Sequence, residues 1–297
     1  MNSLVTGATG LIGQALIKRL DDPVLMSRRP EALASGSRLK WPVDAGTAAP
    51  DRAVDVVFHL AGEPVAGRRW TQQRMDEIRN SRVDGTRQLV SWIANWPSAP
   101  KVLVCASAIG FYGDRGDEIL VENSQPGSSF LAELCQDWEA EAAKAEALGV
   151  RVVFARIGIV LAKNGGALEK MLPPFKMGIG GPLGSGRQWM SWIHLDDVVG
   201  LLLHAAHADI SGPLNTVAPQ PSTNADFSRV LAGHLSRPSV LRAPAFALRL
   251  ALGKMSDIVL ASQKVLPRVA EETGYVFQQP TLDGAIKSCL RIKGEQP

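Results

Sequence analysis

Long apolar runs are missing from this chain of 297 residues. The longest, such as Val198 to Ala206, are interrupted by Gly200 and His204 and fall well short of the roughly 20 residues that span a bilayer. The N-terminus enters a strand directly, without the basic region, apolar core and cleavage site of a signal peptide. Three scattered cysteines, Cys105, Cys135 and Cys289, have neither metal-ligand spacing nor the pattern of a disulfide framework. A metal-free protein of the reducing cytoplasm is therefore expected. A net charge of +3 is too small and too dispersed for a nucleic-acid partner. Tyrosine is scarce too, with Tyr112 and Tyr275 alone. What the chain does have is 45% hydrophobic residues and a mean hydropathy of +0.02, the balance of a globular protein with a sizeable core.

Directly after the apolar pair Leu4-Val5 comes Thr6-Gly7-Ala8-Thr9-Gly10-Leu11-Ile12-Gly13, a strand, a tight glycine turn and the start of an amphipathic helix. Gly7 permits the turn, Gly10 lets the backbone approach a pyrophosphate, and Gly13 lets the helix pack on its strand. Free N–H groups at the positive helix end then face the phosphates. The placement after a first strand meets the context this motif requires, and a bound dinucleotide is expected.

Apolar runs alternate with helical patterns, the signature of a doubly wound parallel sheet of Rossmann type. Strands are read near Asn2–Val5, Pro23–Met26, Val54–Leu60, Lys101–Ala106 and Arg151–Ile157, with a weak one ending near Val43. Helices are read at Leu11–Leu20, Thr71–Ala94 and Phe130–Leu148. The glycine- and proline-rich stretch from Asn164 to Gly186 reads as loops, Trp189–Ile193 as a strand and Leu195–Ala206 as a helix that His194 enters. Short helices follow, with a strand at Gly274–Phe277 and a last helix near Leu282–Cys289. Residues 1–163 are thus expected to form the cofactor domain, with strands from about 189–217 returning to its sheet. Residues 164–297 form a smaller, mainly helical lobe, including a separate piece from about 243.

In dinucleotide folds an acidic residue about 20 positions beyond the first glycine binds the adenosine ribose and selects NAD. Here the count from Gly7 reaches Ser27-Arg28-Arg29, with no acid. A guanidinium offers a 2′-phosphate bidentate charge-assisted bonds, so NADP(H) is favoured over NAD. The alternative is that both arginines cap an exposed strand end. Asp44 is placed to meet the adenine, and Leu60-Ala61-Gly62 to line the adenosine side of the crevice.

These residues resemble the extended short-chain dehydrogenase/reductase superfamily, and within it the atypical subgroup called epimerase family proteins. The matching segments are TGATGLIG (6–13), HLAGEP (59–64), RVDGTRQLV (82–90), CASAIGFYGD (105–114), ARIGIVL (155–161) and PPFKMGIGGPLGSGRQWMSWIHLDD (173–197). From about Ala243 the chain is similar to the small domain of unknown function attached to that subgroup. The resemblance implies further cofactor contacts from Arg82, Ser107, Cys135 and Ile157. It implies a substrate pocket at Arg187, Gln188, Trp189 and Trp192, whose bland alternative is core tryptophans and a solvated arginine. The helices near 71–94 and 130–148 become a homodimer surface.

The superfamily's acid–base chemistry uses a tyrosine and a lysine four residues apart, with a serine that orients the substrate oxygen. Here Gly116 follows Tyr112 at that spacing and Gln279 follows Tyr275. Alignment by Glu139 puts Leu131 where the tyrosine belongs and Cys135 where the lysine belongs. Lys144, nine residues on, turns to the opposite helix face. Ser107 stands at the orienting position, or is an ordinary strand-end hydroxyl. Tyr112 either donates a proton or only lines the pocket. Cys135, with no cation expected beside it, reads as a small buried hydrophobe or a weakly populated thiolate. Glu133 and Asp137 are expected on a solvated face. Two functions remain open: an NADP(H)-dependent reductase or epimerase-like oxidoreductase acting on a small carbonyl or hydroxyl substrate, and a non-catalytic NADP(H)-sensing regulator, linked by some relatives to cell division.

Overall fold

A computed structural model describes residues 1–28, 38–41 and 47–290. In chain order the strands are β1 (Ser3–Thr6), β2 (Val24–Ser27), β3 (Arg38–Lys40), β4 (Val56–His59), β5 (Val102–Ala108), β6 (Ile119–Leu120), β7 (Arg151–Ile157), β8 (Ile159–Leu161), β9 (Trp189–Met190), β10 (Trp192–His194), β11 (Gly212–Thr216), β12 (Ser222–Thr223) and β13 (Lys264–Val265). The helices are α1 (Leu11–Ile17), α2 (Gln72–Ile93), α3 (Phe130–Ala143), α4 (Gly166–Lys176), α5 (Leu195–His207), α6 (Asn224–His234), α7 (Ala245–Leu252), α8 (Ser256–Leu260), α9 (Arg268–Glu272) and α10 (Leu282–Leu290).

The seven-stranded sheet runs β11-β7-β5-β4-β1-β2-β3. β1 pairs in parallel with β2 on one side and β4 on the other, β2 with β3, and β4 with β5. The order reverses between β1 and β4, and in such sheets ligands bind outside the carboxyl ends of the strands at that point. β1, β2 and β4 are buried at every position, which is why their sequences read as continuous apolar runs rather than alternating ones. α2 begins where Thr71 Oγ1 accepts the Arg74 N–H at 3.2 Å, and α3 where Ser129 Oγ accepts the Ala132 N–H at 3.3 Å. Both are N-caps that satisfy donors the helix itself leaves unpaired. The two helices pack on each other through Arg79–Asp137 and Arg87–Glu141 ion pairs.

The chain divides into two compact units. One comprises residues 1–111, 128–156 and 199–214, and the other 112–127, 157–198 and 215–297. The second has its own core of Leu161, Leu168, Phe175, Trp192, Phe227, Leu231 and Ile286. It carries three two-stranded sheets, β10 with β8, β12 with β9 and β13 with β6. No helix among the described residues is long and apolar enough to cross a membrane.

Several expectations change. Of the region 189–217, only β11 joins the large sheet; β9 and β10 pair elsewhere. The 164–186 stretch contains α4, because Leu168, Met171, Leu172 and Phe175 recur at helical spacing and bury one face, while Pro173 and Pro174 fall late in the helix. Residues 274–277 form no strand. The Tyr275 N–H closes α9 on the Ala270 carbonyl, and the Gln278 and Gln279 N–H groups go to the Asp197 carboxylate instead of a ladder. β3 ends at Lys40, and Val43 lies outside the described residues.

Candidate functional site

The glycine turn is built by close approach. Gly7 has φ +70°, and a Cβ there stands 2.5 Å from the Leu60 carbonyl oxygen. A Cβ on Gly13 stands 2.3 Å from the Gly7 oxygen. Neither position admits a side chain without moving backbone. The Gly10 N–H donates to the Gly7 carbonyl at 2.9 Å, and Gly10 opens α1 with no side-chain cap. Thr9 and Gly10 are exposed, Leu11 and Ile12 half-buried, and Gly13 buried. Thr6, a residue the sequence reading passed over, knits β1 to β4: its Oγ1 accepts from the Leu60 and Ala61 N–H groups at 3.1 and 3.2 Å. The same hydroxyl lies 2.8 Å from Nδ1 of His59, whose Nε2 meets Thr86 Oγ1 at 2.9 Å. Burial of that imidazole pushes its pKa down to about 3.

At the end of β2, Ser27 is buried and Arg28 reaches across to Glu63, Nη1 to Oε1 at 2.5 Å. Arg28 thus has a partner, where only phosphate or solvent was anticipated. Arg29 and Asp44 lie outside the described residues. After β4, Leu60 and Ala61 are half-buried and Gly62 exposed. A Cβ on Gly62 meets the Arg82 guanidinium at 3.1 to 3.4 Å, so absence of a side chain lets Arg82 lie against this loop. The Arg82 guanidinium also covers the Trp138 ring at 5.1 Å, and burial lowers its pKa to about 10. Burial works to raise the Glu63 carboxyl, but Arg28 and Arg74 outweigh it and hold it below its ordinary value.

Ser107, next to last in β5, is buried, and its Oγ donates to Glu139 Oε1 at 2.6 Å. Glu139 also accepts Arg156 Nε at 2.9 Å and Nη2 at 2.8 Å, a two-pronged buried ion pair. The guanidinium carbon of Arg156 stacks 3.4 Å from the Phe111 ring centroid. The strand-end hydroxyl therefore bonds to a carboxylate rather than to backbone. Glu139 served above only to align the helix, and its role as anchor of this network was missed. Cys135 is buried, with Sγ 3.7 Å from the Ala108 oxygen. Burial and the Glu139 charge push its thiol up to about 11, although Arg82 acts in the opposite sense. The flanking cation thus exists, contrary to expectation, yet burial prevails. Leu131 packs beside Gly110, and Lys144 pairs with Glu141 at 2.8 Å. Asp137 is not merely solvated, because it pairs with Arg79.

In the second unit Tyr112 is fully buried and its hydroxyl donates to Asn215 Oδ1 at 2.7 Å. Asn215 is fixed in turn, its N–H to Glu122 Oε1 and its Nδ2 to the Leu266 carbonyl. The phenol is thus fastened in the core of this unit. The pocket residues separate as well. Trp192 is entirely buried in the core, and Gln188 is buried with Nε2 committed to the Leu183 and Val259 carbonyls. Trp189, half-buried, donates from Nε1 to Asp117 at 2.7 Å beneath Lys264, whose Nζ lies 4.1 Å from the ring centroid. Arg187 is exposed and Ile157 half-buried. His194 accepts the Asp196 N–H at 3.2 Å, as a helix-entry residue does.

The geometry has counterparts. The model of the NAD dependent epimerase/dehydratase family matches residues 3–216, and that of a domain of unknown function, DUF1731, matches residues 243–289. Epimerase family protein ML0860 of Mycobacterium leprae is 38% identical, over 95% of this chain and 93% of its own. The chloroplastic SDR39U1 homolog of Arabidopsis thaliana is 40% identical, over 98% of this chain and 87% of its own. The crystal structure of human epimerase family protein SDR39U1 with NADPH superposes with a TM-score of 0.89 at 34% identity, covering 97% of this chain and 99% of the human one. MoeE5, solved with UDP-glucose and NAD, shares the fold at 21% identity and a TM-score of 0.75. With matches that run through the glycine turn, the β4 end and the C-terminal piece alike, the chain belongs to the NAD dependent epimerase/dehydratase family.

Proposed function

We propose that this protein binds NADP(H) at the carboxyl ends of β1, β2 and β4 and acts as an oxidoreductase on a small carbonyl or hydroxyl substrate, without a tyrosine–lysine pair. The observation that carries the reading is the cradle at Gly7 and Gly13, where a Cβ lands 2.5 Å and 2.3 Å from backbone oxygen. That backbone-to-backbone packing forms the tight turn and leaves Gly10 exposed at the uncapped start of α1, where a pyrophosphate lies against bare backbone, and the human relative was crystallised with NADPH. The residues fit the cofactor: Gly7, Thr9, Gly10 and Gly13 at the pyrophosphate, Arg28 at a 2′-phosphate, and Leu60, Ala61 and Gly62 beside the adenosine. Bound there, the nicotinamide supplies or accepts a hydride.

Ser107 is the side chain best suited to orient a substrate. With its proton given to Glu139, Oγ offers lone pairs only and accepts from a substrate hydroxyl. It does not hydrogen-bond a carbonyl oxygen in that state. Nucleotide-sugar epimerisation of the usual kind is disfavoured, because it relies on the absent pair. A second reading, an NADP(H) sensor without turnover, draws on a specific observation: the Ser107 and Tyr112 hydroxyls are both engaged inside the protein. The homodimer through α2 and α3 belongs to the same proposal, and light scattering on the eluting protein tests it.

NADPH is mixed with the protein, then with aldehydes, ketones, quinones and nucleotide sugars, and its absorbance is followed through one turnover. Oxidation by one class is the expected result. Tight binding with no oxidation across the panel selects the sensor, and absence of NADPH binding refutes both readings.

A further inference from the structure

We infer that Glu63 is a specificity-determining residue of the cofactor crevice, a built-in competitor that a 2′-phosphate must displace from Arg28; the inference rests on the NADP(H) reading above. Arg28 follows β2 and Glu63 follows β4, and those strands flank β1 in the sheet. Their ion pair at 2.5 Å therefore crosses the carboxyl end of β1, where the glycine turn starts.

The two partners are held unequally. The Arg28 side chain is 68% exposed and that of Glu63 only 23%. The Glu63 N–H donates to Ser81 Oγ at 3.1 Å, and Oε2 faces Arg74 Nη1 at 3.4 Å. Arg74 is itself fixed on α2, by Glu77 at 2.9 Å and by the Pro64 carbonyl. The carboxylate is thus anchored from α2, while Arg28 is the arm that turns. Known dinucleotide sites that prefer NAD place an acid at the end of β2. This chain brings a carboxylate to the same neighbourhood from the end of β4 and neutralises it with the arginine at the β2 end.

The consequence follows from charge. A phosphate monoester carries nearly two negative charges and takes a guanidinium in a two-pronged grip. To form that grip Arg28 leaves Glu63, and the anchored carboxylate then stands beside the phosphate. A ribose 2′-hydroxyl has no such conflict, since a carboxylate accepts a hydrogen bond from it. Glu63 therefore narrows the preference for NADPH over NADH. Solvent-facing charge pairs are weak, so replacing Glu63 by the isosteric glutamine widens the preference by about two- to five-fold.

Titration calorimetry with NADPH and NADH on wild type, Glu63→Gln, Arg28→Ala and the double variant tests this directly. The ratio of NADH to NADPH dissociation constants is expected to rise in Glu63→Gln, and to rise less when the same change is made on Arg28→Ala, where only the direct repulsion between carboxylate and phosphate is relieved. Glu63→Ala, which removes the charge and the bulk together, must move the ratio the same way, and thermal melts establish that each variant is folded. An unchanged or lower ratio in Glu63→Gln overturns the inference while wild-type NADPH binding stands. So does an equal rise in the Arg28→Ala background. A wild type that binds neither nucleotide removes the underlying NADP(H) reading instead.

Discussion

Cutting the carboxylate of Glu139 is the sharpest perturbation of the first unit. The Arg156 side chain is 5% exposed and that of Glu139 10%, so neither charge has water to fall back on. Glu139→Ala strips the acceptor from Arg156 Nε, Arg156 Nη2 and the Ser107 hydroxyl together. Removing one member of a buried ion pair costs about 3–5 kcal/mol, since the other charge stays buried and uncompensated. In a domain of this size each kcal/mol moves the midpoint by about 2–4 °C, so the melt falls by roughly 6–20 °C. Removing both charges with Glu139→Leu and Arg156→Met is different. Apolar replacement of a whole buried pair is often neutral, while the Ser107 hydroxyl loses its acceptor, at about 1–3 kcal/mol. The double variant is expected to regain at least half of the loss. Urea titrations followed by circular dichroism on all three proteins provide the comparison. A single variant that loses less than about 1 kcal/mol, or a double as weak as the single, refutes the account of Glu139 as an electrostatic anchor.

Further outcomes follow from other contacts. Gly13→Ala forces the Gly7 carbonyl aside and is expected to weaken NADPH binding roughly tenfold, read by fluorescence titration; unchanged affinity contradicts the cradle. Tyr112→Phe leaves Asn215 Oδ1 without its donor and is expected to cost about 1–3 kcal/mol in urea, with NADPH affinity intact; a loss of turnover without loss of stability reverses that reading. His59 has a folded pKa near 3 against about 6.5 when unfolded, so its contribution is fully present above pH 6.5. Below that the unfolded chain binds a proton the folded one refuses, and stability falls by about 1.4 kcal/mol per pH unit down to pH 3. Comparing the urea midpoints of wild type and His59→Gln at pH 6.5 and pH 5 isolates that proton, and parallel slopes disprove it.

The sheet was legible because burial on both faces writes a strand as an unbroken apolar run. The glycine turn was legible for a different reason: close approach of backbone to backbone tolerates no Cβ, and the sequence records that as glycine. α4 was hidden since two prolines outweighed a helical spacing of Leu168, Met171 and Phe175 in a reading of local signals. The partners of functional side chains were illegible. Nothing in the spacing of Ser107 and Glu139, 32 residues apart, or of Arg28 and Glu63, 35 apart, says that they meet; the sheet order decides it. The motif at Tyr112 left a proton donor and a pocket lining both open, and the partner of its hydroxyl, Asn215, 103 residues later, was beyond any local pattern.

The two compact units are woven from alternating stretches of chain, and this bears on how the protein emerges from the ribosome. The large sheet lacks its β11 edge until residue 216 has been made, so the first unit stays open while over two-thirds of the polypeptide is synthesised. The second is held back longer. Asn215 awaits the carbonyl of Leu266, Ser191 awaits Gln263 and Val265, and the Asp197 carboxylate awaits Tyr275, Gln278 and Gln279. A nascent chain halted near residue 243 exposes those waiting groups and an apolar core that still lacks Ala285, Ile286 and Cys289. Premature stop codons late in the reading frame therefore leave a product for the quality-control proteases rather than a shortened but working protein.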